Sequence, residues 1–121
     1  MVLDTTVLID HLRRSPAAVA FLRALVEPPF CSELTRVEIV RGLESAERSA
    51  AERLFGLLVW VPVGETVARR AGELGRSYRR SHPGISTTDL IIGATALELG
   101  VSLATTNVRH YPMFKGLRAP Y

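Results

Sequence analysis

The chain has only three aspartates, Asp4, Asp10 and Asp89, and two of them stand in the same kind of place. Asp4 follows the apolar run Met1–Leu3 and precedes a helical pattern. Asp89 lies three residues after Ser86, in the first turn of another helical pattern, and Glu38 stands likewise behind Thr35. Each acid has an ordinary structural use. Asp4 suits an N-cap, and Ser86-Thr87-Thr88-Asp89 and Thr35-Arg36-Val37-Glu38 both fit the capping-box pattern. Taken together they point to chemistry as well. In an open parallel α/β sheet the ligand site lies beyond the carboxyl ends of the strands, where the next helices begin. Acids in first helical turns converge on that rim, and helix N-termini favour their ionised form. Clustered carboxylates repel unless a cation lies between them. A hard cation such as Mg²⁺ resolves the conflict, and a metal with ordered water is what hydrolysis of a phosphodiester needs.

The elements that must position these acids alternate between short β-like runs and longer helical patterns, the signature of a parallel α/β sheet. Residues 1–3 end a first strand, and a helix follows over 6–14. Ser15-Pro16 restarts a helix that runs to about Glu27. Pro28-Pro29 stops it before a strand at 30–32. Apolar residues at Val37, Val40 and Leu43 mark an amphipathic helix over 35–43, and another helix covers roughly 46–58. The 59–63 segment is strand-like despite Pro62, which places it near a sheet edge. A long helix over 64–81 ends before His82-Pro83-Gly84, and a further one spans 86–99 with Gly100 as its C-cap. The last clear strand is 101–105, with Asn107 just beyond it. The 111–121 tail leaves room for a final edge strand. With no repeat, linker or low-complexity segment, the expectation is one domain over 1–121, a three-layer α/β/α unit.

Composition narrows the setting. Hydrophobic residues make up 47% of the chain, which rules out wholesale disorder. No apolar run approaches the ~20 residues that span a bilayer, and the start lacks the features of a signal peptide. A single cysteine, Cys31, excludes an internal disulfide and reads as a small buried hydrophobe. These features fit a cytoplasmic protein with no membrane association. Fifteen Lys+Arg against twelve Asp+Glu give a net charge of +3, a weak lean towards anionic partners. All but Lys115 of the cations are arginine, suited to bidentate phosphate contacts but equally a product of codon usage.

His11, His82 and His110 show no pairing, so an acid–base ribonuclease built on histidines is disfavoured. Arg76, Arg79 and Arg80 surround Tyr78 before the turn that leads to Asp89; a basic cluster with an aromatic suits single-stranded RNA. A solvated helix C-terminus would look the same. Arg109 and His110, close after Asn107, stand where they could touch a phosphate. Arg13 and Arg14 have the spacing to pair with Asp10.

Four stretches carry a family likeness. Val2-Leu3-Asp4-Thr5-Thr6 resembles the first motif of PIN domains. The likeness continues through residues 35–43, from Thr35-Arg36-Val37-Glu38 to Leu43, through Thr87-Thr88-Asp89-Leu90 and the six residues after it, and through 104–111, Ala104-Thr105-Thr106-Asn107 to Tyr111. In order, they cover nearly the whole chain, and the subgroup they look like is the VapC-type toxins of bacterial toxin–antitoxin pairs. The resemblance implies a three-layer PIN-like fold with a central, mainly parallel sheet, and a Mg²⁺- or Mn²⁺-dependent endoribonuclease. It also implies an RNA substrate, a cognate antitoxin that blocks the site, and a homodimer. Carried over by position, Asp4, Glu38 and Asp89 match the metal-binding acids, and Thr6 a supporting hydroxyl beside the first. Asn107 matches the fourth acidic position, where many PIN domains have Asp; its amide offers a carbonyl oxygen without charge, so a second metal would lean on substrate phosphate. Two other readings remain at this point. One is a catalytically weak PIN scaffold that only binds RNA or protein, and the other a phosphotransferase forming an aspartyl-phosphate on Asp4.

Overall fold

The computed structural model describes residues 1–121. Four short strands, β1 (Val2–Leu3), β2 (Phe30–Ser32), β3 (Val59–Val61) and β4 (Leu103–Ala104), form one sheet in the order β3-β2-β1-β4, with every pairing parallel. The strand that Pro62 follows is therefore at an edge, where the sequence placed it. Six helices connect and cover the sheet: α1 (Thr5–Leu12), α2 (Pro16–Arg23), α3 (Glu33–Gly42), α4 (Arg48–Phe55), α5 (Glu65–Tyr78) and α6 (Thr87–Leu99). Two 3₁₀ turns, Ser45–Glu47 and Val108–His110, complete the chain.

The central strand shows why three layers form. Successive strand residues point to opposite faces. Leu3 enters a core with Val7, Leu8, Ile39, Leu54 and Phe55 on one side. Val2 enters another, with Ile92, Ala96, Leu103 and Tyr111, on the other. Both strand residues are fully buried, so β1 reads as continuously apolar, as expected of a parallel strand covered on both faces. Helix α6 is packed between the sheet and α5, which contributes Val67 and Ala71 beside Ala94. Its five consecutive buried residues, Ile92 to Ala96, reflect neighbours on both sides. The C-terminal tail packs on this helix at Gly93, where Tyr111, Met113 and Phe114 are the nearest side chains.

Several boundaries differ from the sequence expectation. Helix α3 starts at Glu33, with Ser32 as the N-cap whose hydroxyl accepts from the Leu34 N–H at 3.2 Å. Glu38 thus sits in the second turn, and no Thr35–Glu38 capping box forms. The face expected to be apolar points outward, with Val37 60% and Val40 40% exposed; Thr35 and Ile39 are the residues turned inward. Helix α2 ends at Arg23 rather than near Glu27. Helix α1 ends at Leu12, and Arg14 takes a positive φ of 61°. Arg14 thus leaves the helical geometry that would place it at i,i+4 from Asp10; neither Arg13 nor Arg14 pairs with that acid, which accepts instead from the Tyr121 hydroxyl at 2.8 Å. The tail after Tyr111 adds no strand. No helix is long and apolar enough to cross a membrane.

On β3, Trp60 carries a cation. Arg36 of α3 lies 3.9 Å over the Trp60 ring and is held by Glu33 at 2.7 Å. A cation stacked on a half-buried aromatic uses the ring's quadrupole.

Candidate active site

Asp4 leaves β1 as the N-cap of α1, its backbone still extended and its N–H still on the ladder to Ala104 O at 2.9 Å. Its Oδ1 accepts from the Thr5 N–H at 2.8 Å. Its Oδ2 accepts from the hydroxyls of Thr105 at 2.6 Å and Thr6 at 3.2 Å. The residue is buried. Burial pushes its pKa above the usual aspartate value, and the charge of Asp89 pushes the same way; the hydrogen bonds from Thr105 and Tyr111 oppose them. Both carboxylate oxygens are engaged by donors, a poor arrangement for an attacking nucleophile. No lysine pairs with the group, so the aspartyl-phosphate reading finds no support here.

Asp89 is fixed by the capping box that its spacing from Ser86 implies: its N–H donates to Ser86 Oγ at 3.1 Å, and its Oδ2 accepts from the Ser86 N–H at 3.4 Å. Two residues from the turn after β4 close on it. The Tyr111 hydroxyl donates to Asp89 Oδ1 at 3.4 Å. Burial and the two carboxylates push the Tyr111 pKa far up, which keeps this hydroxyl a donor. His110 Nδ1 lies 2.9 Å from Asp89 Oδ2 and 2.7 Å from the Asn107 amide. One ring nitrogen cannot both donate and accept; the Nδ1–H tautomer satisfies Asp89 and then prefers the amide oxygen of Asn107 towards it.

Glu38 joins this centre at one remove. Its Oε1 accepts from the Thr5 hydroxyl at 2.7 Å, and that hydroxyl lies 3.0 Å from Thr35 Oγ1. The structure therefore brings Asp4 and Asp89 together and links Glu38 to them through Thr5. No group of three or more His, Cys, Asp or Glu side chains is arranged to hold a metal ion. The donor set nonetheless fits a Mg²⁺-type ion. Such an ion takes one or two carboxylates and keeps several waters, and here two aspartates repel each other with no arginine or lysine paired to either.

Thr6 stands beside Asp4 and also accepts from the Thr106 N–H at 3.4 Å. His110, a candidate for phosphate from its position, is turned onto Asp89 instead. Sequence reasoning gave no functional reason to single out Thr5, Thr35, Thr105 or Tyr111. Thr105 carried a faint signal, a hydroxyl at a strand's carboxyl end; the role of Tyr111 depends on how the tail folds back. Arg79, Arg80 and Arg109 are exposed without an ion-pair partner, and Arg76 pairs loosely with Glu73 at 3.7 Å. Arg79 lines a cavity of about 190 Å³ with Tyr78, His82 and Leu90, the residue after Asp89. Two larger cavities, about 330 and 380 Å³, share His11, Arg23, Leu54 and Leu57 and contain none of the acids.

Comparison with known proteins agrees with this architecture. A family model described as the PIN domain matches residues 1–113. The chain is 46% identical to Ribonuclease VapC19 of Mycobacterium tuberculosis, covering 98% of each chain. It is 40% identical to Ribonuclease VapC10 of the same organism, over 100% of this chain and 92% of that one. A toxin–antitoxin complex from Klebsiella pneumoniae contains a chain that superposes with a TM-score of 0.83 over 99% of this chain and 97% of its own, at 24% identity, a likeness of fold. A parallel four-stranded sheet between helices, acids at its carboxyl rim and a match over nearly the full length lead to one conclusion: the chain belongs to the PIN domain family.

Proposed function

We propose that this protein is a metal-dependent endoribonuclease toxin that hydrolyses RNA phosphodiester bonds and is silenced by a cognate antitoxin. The observation that carries the reading is the pair of aspartates, Asp4 and Asp89, forced together at the sheet's carboxyl rim with only neutral or histidine donors around them. The ribonuclease names of its relatives and the toxin–antitoxin complex that shares its fold support the substrate and the partner.

Asp4, Asp89 and Glu38 would hold Mg²⁺ or Mn²⁺, with Asn107 beside them against His110. When bound, such an ion polarises the phosphate and makes a coordinated water acidic enough to attack. The chain's own groups do the positioning. Thr105, Thr6 and the Thr5 N–H fix both oxygens of Asp4. Ser86, His110 and Tyr111 fix Asp89. Thr5 holds Glu38 ready beside them. Exposed Arg79, Arg80 and Arg109 offer phosphate contacts along the strand. The protein acts in the cytoplasm as a homodimer, on the family likeness.

The test is cleavage of a defined RNA set with and without Mg²⁺, mapping both product ends. Water attack with the 3′-oxygen leaving gives a 5′-phosphate on one fragment and a 3′-hydroxyl on the other, and a 2′-deoxy substitution at the cut still allows cleavage. Chelation and Asp89→Asn each abolish the activity, and expression of Asp4→Ala relieves the growth defect caused by the wild type alone. Full activity in excess chelator, or 2′,3′-cyclic phosphate ends with complete resistance of the deoxy substrate, overturns the roles of Asp4, Glu38 and Asp89.

A further inference from the structure

A groove of about 300 Å³ starts at Glu38 and runs between α1 and α3 towards their C-terminal ends. Ile9 and Leu12 from α1, Ile39 from α3 and Leu43, the residue after α3, line it. Its size is at the lower end for small-ligand sites, room for one flat ring system. Arg13 and Glu47 line it as well, and neither is paired with an opposite charge. Glu47 is held in place because its Oε1 accepts from the Glu44 N–H at 2.9 Å within the capping box of the 45–47 turn, which leaves its other oxygen free.

We infer that this groove receives a guanine base of the RNA next to the cleaved bond, with Arg13 and Glu47 reading its edges. The inference rests on the ribonuclease reading above. Three features carry it. The groove contains Glu38, so a strand whose phosphate lies at the acids has a neighbouring base within reach of it. Apolar side chains from both helices line the groove beside its charged residues and give a splayed-out base an apolar surface to lie on. The unpaired cation and anion then choose among bases. Arginine donates to guanine O6 and N7, while a carboxylate, an acceptor only, suits the adjacent N1–H and N2–H of guanine. Adenine and uracil present no such combination of acceptors and paired donors.

Gly42 makes the groove testable without touching the acids. It lines the groove at the end of α3, and a Cβ built there meets nothing within 4 Å, so Gly42→Phe adds a ring at the groove's rim with no clash at its Cβ. Guanosine 5′-monophosphate titrated into ¹⁵N-labelled protein should shift the amides of Ile39–Leu43 more than adenosine 5′-monophosphate does. Gly42→Phe should remove those shifts and Arg13→Ala weaken them. A random-sequence RNA pool cut in Mg²⁺ should show guanine enriched within two nucleotides of the cut. Gly42→Phe and the double variant Arg13→Ala/Glu47→Gln should each reduce that preference by roughly tenfold, with metal dependence and product ends unchanged. Enrichment that survives in Gly42→Phe, or wild-type cleavage with no base preference near the cut, overturns the groove's assignment and leaves the ribonuclease reading standing. Gly42→Phe that loses antitoxin binding but keeps the guanine preference assigns the groove to protein docking instead. Wild-type protein that cuts no RNA overturns both readings together.

Discussion

Thr105 shows how one hydroxyl sets the state of an acid. It is fully buried and donates to Asp4 Oδ2 at 2.6 Å, while its oxygen accepts from the Asn107 N–H at 2.9 Å. Thr105→Val keeps the shape and removes the donor, so the metal-free variant should lose about 1–3 kcal/mol at neutral pH. The sign of the pH dependence follows from Asp4. Its pKa in the folded chain is raised, so stability linked to its proton is fully present below the unfolded value of about 3.9. That stability is lost as pH rises through the raised folded value. Thr105→Val raises the folded value further, and its deficit should shrink in acid, where Asp4 is neutral in both proteins. Urea denaturation at neutral and at acid pH measures this; equal deficits at both would show that Thr105 does not stabilise the ionised acid.

Helix starts carry much of the site, and not all of them could be ranked from the sequence. Ser86 and Asp89 form their box because Ser86 is extended and immediately precedes the helix. Ser86→Ala should cost about 1 kcal/mol and loosen Asp89, lowering cleavage well beyond what the change in melting temperature explains. Ser86→Thr, which keeps the hydroxyl, should restore most of both, and activity equal to wild type in Ser86→Ala would remove the cap from the positioning role. In α3 two hydroxyls competed for the cap. Ser32 won because β2 ends there with the backbone extended, leaving Thr35 to turn inward against Thr5. That shift of three residues also turned Val37 and Val40 outward.

At the level of the whole molecule, the strand order makes the site. The chain steps from β1 to β2 to β3 on one side and returns to place β4 on the other. The carboxyl ends of β1 and β4 therefore lie together at the point where the order reverses, the usual place for a ligand in such sheets. Asp4, Asp89 and Thr105 meet there from distant parts of the chain. The exposed arginines at the end of α5 bear on longer-range RNA binding. Arg79→Ala with Arg80→Ala should weaken RNA affinity and reduce the slope of log affinity against log salt, since a protein that neutralises fewer phosphates displaces fewer counterions. An unchanged slope would show that this helix end touches no phosphate.

The α/β class, the edge position of the 59–61 strand, the caps at Asp4, Ser86 and Gly100, and the family were all legible in the linear chain. They depend on local periodicity, turn chemistry and short motifs, which a sequence displays directly. Folding in three dimensions settled which cap starts α3, which face of that helix is buried, and that Asp10 meets Tyr121 rather than an arginine. It also settled that Tyr111 closes on Asp89 while Glu38 is linked to Asp4 through Thr5. Such contacts join residues up to 111 positions apart, and their geometry is set by tertiary packing, which no local pattern in the chain encodes.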